Sequence, residues 1–176
     1  MMRLFLRIII LLTVVQVVVA CTGNRPPEKE EAKPPTQEQL VEINREMVIK
    51  ERERIESYIT RKNLEMTCTE TGLWYAITET GSGEEPGKGT RIVIDYDCSL
   101  LDGTLCYSSE ADGSLEIIPG KTDIPPGLDE GVRFLSEGSV ALFILPSYLA
   151  YGLTGDRNKI PSHATLVYKV KVVKIY

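Results

Sequence analysis

The 176-residue chain, 43% of it hydrophobic, suits one globular domain with extra segments rather than two domains. Its 25 acidic and 20 basic residues leave a formal charge of −5 and no basic stripe, which argues against a nucleic-acid partner. With one histidine, His163, and no HExxH, CxxC, P-loop or nucleophile-elbow pattern, hydrolase, metal-enzyme and nucleotide-enzyme readings lack support, and neither metal nor cofactor is expected.

Residues 1–20 carry Arg3 and Arg7, then an almost wholly apolar run up to residue 19 and small Ala20, the pattern of a secretory signal. The run is too short for a spanning helix and is interrupted by polar Arg7 and Gln16. Val18-Val19-Ala20-Cys21 is similar to the lipobox of bacterial lipoproteins, which implies removal of residues 1–20 and lipidation of Cys21. Acyl chains on that residue would anchor the protein to a membrane. Loss of Arg3 and Arg7 leaves 18 basic against 25 acidic residues, a mature charge of −7. Residues 21–35 form a flexible tether, too rich in proline for a helix and too charged to bury.

Thr36 and Gln39 fit a capping box, and no proline or glycine occurs between residues 37 and 70, which predicts a helix over 37–62 in an N-terminal segment 36–66. Val41, Val48 and Ile55 recur every seven residues, flanked by Leu40, Met47, Tyr58 and Ile59, as a narrow apolar stripe on a charged rod. Such a stripe either packs on its own domain or pairs with a second copy to make a homodimer.

The globular part, residues 67–176, opens with a strand over 72–79. The glycine-rich stretch 81–89 is a loop, because its GxG lacks the third glycine and following helix of a phosphate cradle. A strand over 91–100, a hairpin turn at Asp102-Gly103, a return over 105–109 and a short strand over 115–118 follow. Leu128, Val132 and Leu135 share one face of a predicted helix over 128–135, with Gly138 just beyond its end. Residues 140–145 form a nearly continuous apolar run, as in a central strand, and Leu166, Tyr168, Val170 and Val172 alternate with Lys169 and Lys171 in the last strand. The result is an α+β domain of antiparallel strands with one short covering helix.

Cys68, Cys98 and Cys106 make an odd set in a compartment that permits disulfides. If Asp102-Gly103 closes a two-residue hairpin, Cys98 and Cys106 face opposite sides, which argues against a bridge and for three packed or free thiols. An aromatic and apolar set then remains at Tyr96, Ile124, Tyr151, Ile160 and Tyr168; His163 and Trp74 are structural. Asp156 and Lys159, in the loop after Tyr151, belong either to the rim of a site or to a solvated turn.

The stretches Gly127-Leu-Asp-Glu-Gly-Val-Arg-Phe-Leu-Ser-Glu-Gly138, Pro146-Ser-Tyr-Leu-Ala-Tyr-Gly152 and Ile160-Pro-Ser-His-Ala-Thr-Leu-Val-Tyr168 resemble the FK506-binding-protein (FKBP) class of peptidyl-prolyl isomerases. The likeness extends back through Val93-Ile-Asp-Tyr-Asp-Cys-Ser-Leu-Leu-Asp-Gly103 to the Gly72-Leu-Trp-Tyr75 entry, and with the lipobox and helix it is most similar to the gliding-motility-associated lipoprotein isomerases of Bacteroidetes. The resemblance implies an FKBP-like antiparallel sheet wrapped on a short helix, preceded by an N-terminal helix. It implies a catalytic set of Tyr151, Tyr96 and Ile124, with Tyr151 donating a hydrogen bond to a substrate carbonyl. Tyr168, Ile160, Leu128, Leu115, Cys106, Tyr107 and Asp156 would bind substrate. Departures from the family pattern cluster on one wall: Cys106-Tyr107-Ser108-Ser109 for Phe-Asp-Ser-Ser, Leu128 for tryptophan, Leu115 for an aromatic, and Pro125 where a backbone N–H is usual.

The implied activity is cis-trans isomerisation of X-Pro bonds in exported proteins, with proline-containing polypeptide segments as partners. The implied location is the cell envelope, with Cys21 lipid-anchored to the outer membrane and the domain facing the periplasm. The alternative is a non-catalytic FKBP-like binding or assembly lipoprotein of the envelope.

Overall fold

A computed structural model describes residues 34–87 and 89–176; the expected signal peptide, Cys21 and the tether up to residue 33 lie outside the described residues. Helix α1 spans Gln37–Lys62, the bounds expected from sequence. Its capping box is formed: the Thr36 N–H donates to Gln39 Oε1 at 2.9 Å and the Gln39 N–H donates to Thr36 Oγ1 at 3.3 Å.

Seven antiparallel strands form one sheet in the order β1-β2-β6-β7-β3-β4, with β5 paired to β3. In chain order they are β1 (Thr67–Cys68), β2 (Trp74–Glu79), β3 (Ile92–Leu100), β4 (Leu105–Ser108), β5 (Leu115–Ile117), β6 (Val140–Leu145) and β7 (Leu166–Ile175). The two-residue β1 and a single turn α2 (Ser109–Asp112) carry no periodic signal long enough to read from sequence. The alternation of β7 is as expected, for Leu166, Tyr168, Val170 and Val172 are all buried and pack with Ile92, Ile94, Phe143 and Leu145 in the main core.

The continuous apolar run of β6 has a physical reason, since both faces of the strand are covered. Ala141, Phe143 and Leu145 join the main core, while Leu142 and Ile144 join a second cluster with Ile55, Tyr58, Ile59, Trp74 and Val167. That second cluster is where the C-terminal half of α1 docks. The stripe therefore divides: Ile55 is wholly buried, whereas Leu40, Val41, Ile43 and Val48 are exposed.

One polar contact fixes this docking and was not legible in the sequence. Glu51, 4% exposed, accepts hydrogen bonds from Ser147 N–H at 2.7 Å, Ser147 Oγ at 2.9 Å and Thr165 Oγ1 at 2.6 Å. Both oxygens are thus paired, as a buried carboxylate requires.

The covering helix differs from the expectation. Instead of one helix over 128–135, α3 (Pro126–Gly131) begins two residues earlier and gives way to a 3₁₀ turn, Val132–Phe134. Pro126 at the first helical position presets its start, and an i→i+3 bond from Leu135 N–H to Val132 O at 3.3 Å tightens its end. Leu128, Val132 and Leu135 still face the core. Gly131 permits the close approach of α3 to β6: a Cβ there would meet the Phe143 ring at 2.8 Å.

The hairpin after β3 also departs from the simple two-residue form. Gly103, at φ 93°, accompanies a Leu100 N–H bond to Thr104 O at 2.9 Å, so the loop holds three residues. A compensating β-bulge lies between Cys98 and Ser99, leaving Cys106 as the extra residue. The bulge brings Cys106 into the same core as Cys98, which corrects the inference that they face opposite sides; the thiols of Cys68, Cys98 and Cys106 are unbridged.

Candidate active site

The sheet presents Tyr96 from β3 and Tyr168 from β7 on one face, because Tyr96 pairs with Val170 and Cys98 with Tyr168 in the register. Their rings tilt at 35° with centroids 6.1 Å apart. Leu115 stands opposite Ile94 on β5. Ile124 is presented by a loop closed by local hydrogen bonds, from Ile118 N–H to Thr122 Oγ1 at 2.8 Å and from Ile124 N–H to Thr122 O at 3.0 Å. Leu128 rises from α3 and Ile160 from the last loop. All six belong to the main apolar cluster, with Cys106 and Tyr107 from β4.

They are not equally accessible. Leu128, Ile160, Cys106 and Tyr168 are 1–4% exposed and form packed ground, while Tyr96, Tyr107, Leu115 and Ile124 are half-buried and Tyr151 is 36% exposed. Tyr151 follows a 3₁₀ turn (Ser147–Leu149) and is held by Gly152, whose N–H donates to Ser147 O at 2.8 Å and whose carbonyl accepts from His163 N–H at 3.0 Å. Burial pushes the Tyr151 phenol above its ordinary value, with Cys98, Tyr168, Asp156 and Tyr107 as polar neighbours. Burial also raises the Tyr168 phenol and pushes the Cys98 thiol up to about 12. At neutral pH these groups are therefore neutral, so the site offers hydrogen bonds and apolar surface rather than a phenolate or thiolate.

The rebuilt wall has a polar latch. The Tyr107 hydroxyl donates to Asp156 Oδ2, Asn158 Nδ2 donates to that hydroxyl at 3.2 Å, and Asp156 Oδ1 accepts from Asn158 N–H at 2.9 Å and Ile160 N–H at 2.8 Å. The Lys159 ammonium lies 4.7 Å from the Tyr107 ring centre. Asp156 is therefore tied to Tyr107 at the edge of the apolar cluster rather than standing in a solvated turn. Burial pushes its carboxyl upward, but the donors from Tyr107 and the loop backbone outweigh that and hold it below the usual range. The same contact raises the Tyr107 phenol. Gly155 closes this loop at φ 65°, where a Cβ would stand 2.1 Å from Ile160 O. The Asp-x-Asn spacing at 156–158 was the available signal of a self-bonded loop, but its partner Tyr107 lies too far away in sequence to be read from it.

Among the described residues, no group of three or more His, Cys, Asp or Glu side chains could hold a metal ion. The arrangement is thus an apolar, aromatic surface bordered by one phenolic donor and a latched loop.

Residues 82–173 match the sequence signature described as FKBP-type peptidyl-prolyl cis-trans isomerase. The chain is 44% identical over 107 residues to a probable FKBP-type peptidyl-prolyl cis-trans isomerase FkpA of Neisseria meningitidis serogroup B, covering 61% of this chain and 39% of that protein. It is 30% identical over 105 residues to the outer membrane protein MIP of Legionella longbeachae, covering 60% of this chain and 45% of that one. It thus spans less than half the length of these two relatives. The crystal structure of FkpA from Escherichia coli superposes with a TM-score of 0.63 at 26% identity, over 78% of this chain and 64% of that one. With the signature covering more than half of its length, on a sheet and short helix of the same fold, the chain belongs to the FKBP-type peptidyl-prolyl cis-trans isomerase family.

Proposed function

We propose that this protein accelerates cis-trans isomerisation of X-Pro bonds in exported polypeptides. The observation that carries the reading is the convergence of Tyr96, Leu115, Ile124, Leu128, Ile160 and Tyr168 into one apolar cluster, beside the partly exposed phenol of Tyr151. Rotation about an X-Pro amide meets a barrier of about 18–20 kcal/mol because resonance holds it planar, although the two isomers differ by only about 0.5–1 kcal/mol. An apolar surface disfavours the charge-separated planar amide, and the barrier falls if the twisted form binds more tightly than either planar one. No acid or base is required. Burial keeps the Tyr151 hydroxyl protonated, so it serves as a donor to a substrate carbonyl.

The test is relaxation of a short proline peptide after a solvent jump. Acceleration is expected, with Tyr151→Phe reducing kcat/KM about threefold to tenfold by loss of one hydrogen bond and Ile124→Ala reducing it further. Relaxation at the uncatalysed rate, at high concentration of folded protein, sinks the proposal and leaves the non-catalytic binding lipoprotein. That second reading draws on the near-complete burial of Leu128 and Ile160.

The same proposal divides the chain into a signal at 1–20, a lipidated Cys21 with its tether to residue 35, the helical segment 36–66 and the isomerase domain 67–176. It places the protein on the outer membrane, facing the periplasm, by the lipobox at Val18-Val19-Ala20-Cys21; the name of the Legionella relative supports an envelope location. The exposed Leu40, Val41 and Ile43 support pairing of two copies along α1. Kinship with the gliding-motility lipoproteins rests on the lipobox and helix.

A further inference from the structure

A cleft of about 560 Å³ lies between α1 and the loop that carries Tyr151. Met47, Val48, Tyr148 and Leu153 give it an apolar wall, and Lys50 and Arg54 give it a basic edge. Val48, Tyr148 and Leu153 are among the more exposed large apolar side chains of the protein. The lining runs along α1 from Asn44 to Arg54, about 15 Å of helix and the length of four or five extended residues. A smaller cleft of about 160 Å³ shares Val48 and Tyr148 and prolongs the groove toward Thr69 and Trp74.

The charge of the groove opposes that of the chain. Glu51 is the one carboxylate in the lining of the larger cleft, and both its oxygens are taken by Ser147 and Thr165. Lys50 has a single ion-pair contact, to Glu46 at 3.5 Å, with both side chains more than half exposed. A protein with a formal charge of −5 therefore offers an apolar groove with Arg54 and the exposed, loosely paired Lys50 along one edge.

We propose that this groove receives an acidic polypeptide segment, taking leucine-like side chains on its apolar wall and the adjoining carboxylates at its basic edge. This preference does not rest on the isomerase reading above. It is tested with a fluorescein-labelled, proline-free twelve-residue peptide carrying two leucines beside two glutamates in a serine-glycine background, and a control with lysines for the glutamates. Anisotropy titrations use the full chain. The glutamate peptide is expected to bind about fivefold tighter than the lysine peptide, with Arg54→Glu removing or reversing that preference. Leu153→Asp is expected to weaken the glutamate peptide about tenfold. Failure of the glutamate peptide to bind, equal affinity for the two, or affinities unchanged by both substitutions overturns the proposal. So does sedimentation as a dimer that dissociates in Leu153→Asp, since the groove would then belong to a second copy. Isomerisation of a four-residue proline peptide, measured alongside, reports on the isomerase reading alone, so the two can fail separately.

Discussion

The substitution Glu51→Ala examines how the N-terminal helix is held. Glu51 accepts three hydrogen bonds at 2.6–2.9 Å in a site 4% exposed. Truncation leaves the Ser147 N–H and the Ser147 and Thr165 hydroxyls without their acceptor. An unsatisfied buried donor costs about 1–3 kcal/mol, and the two hydroxyls can turn to other acceptors while the backbone N–H cannot. Relief of the buried carboxylate's own desolvation offsets part of the loss. A net destabilisation of about 2 kcal/mol follows. Glu51→Gln keeps an oxygen for Ser147 N–H and Thr165, and its amide can donate to Ser147 Oγ, so its cost is about 1 kcal/mol. Urea unfolding followed by Trp74 fluorescence is the appropriate assay, because Trp74 packs in the same cluster as Ile55 and senses undocking of α1 directly. A loss below 1 kcal/mol for Glu51→Ala, or equal losses for alanine and glutamine, would refute the reasoning.

Two further outcomes are expected. Gly131→Ala places a methyl 2.8 Å from the Phe143 ring, so it should destabilise by about 1–3 kcal/mol in urea melts; a neutral effect would mean that α3 moves freely off β6. The Asp156 latch gives a pH dependence of defined sign: its folded carboxyl lies below its unfolded value, so its stabilisation is fully present above about pH 4 and is lost as pH falls through the folded value. The urea midpoint of Tyr107→Phe should therefore fall less between pH 6 and pH 3 than that of the unaltered protein, and an identical fall removes the latch from the account.

Where the sequence is periodic, its elements are legible. The helix at 37–62, the alternation of β7 and the doubly apolar β6 follow from capping chemistry, a two-residue period and burial on both faces. Of the residues named by the resemblance, Tyr96, Cys106, Tyr107, Leu115, Ile124, Leu128, Ile160 and Tyr168 share one apolar cluster, whereas Tyr151 and Asp156 lie outside it. What escaped the sequence depends on pairs distant along the chain. Glu51 looks like another charge on a charged rod until Ser147 and Thr165 meet it across 96 and 114 residues. Tyr107 looks like a lost carboxylate until Asp156 supplies one from 49 residues away. The bulge at Cys98 is invisible to a register counted from the turn.

These unseen pairs bear on the site as a unit. Ser147 gives its N–H and hydroxyl to Glu51 of α1 and its carbonyl to the N–H of Gly152, immediately after Tyr151. The far end of the same loop is fixed by Asp156, which draws Ile160 N–H and the Tyr107 hydroxyl together. The loop that presents Tyr151 is thus held at its start by the N-terminal helix and toward its end by β4. Undocking α1 would free the first hold, since the Glu51 carboxylate leaves with the helix. The charged rod ahead of the domain therefore acts as a support for the Tyr151 loop, and the wall that departs from the family pattern supports its other end. The proposed isomerisation needs both holds, because a loop free to collapse would cover the ground on which a twisted amide would bind.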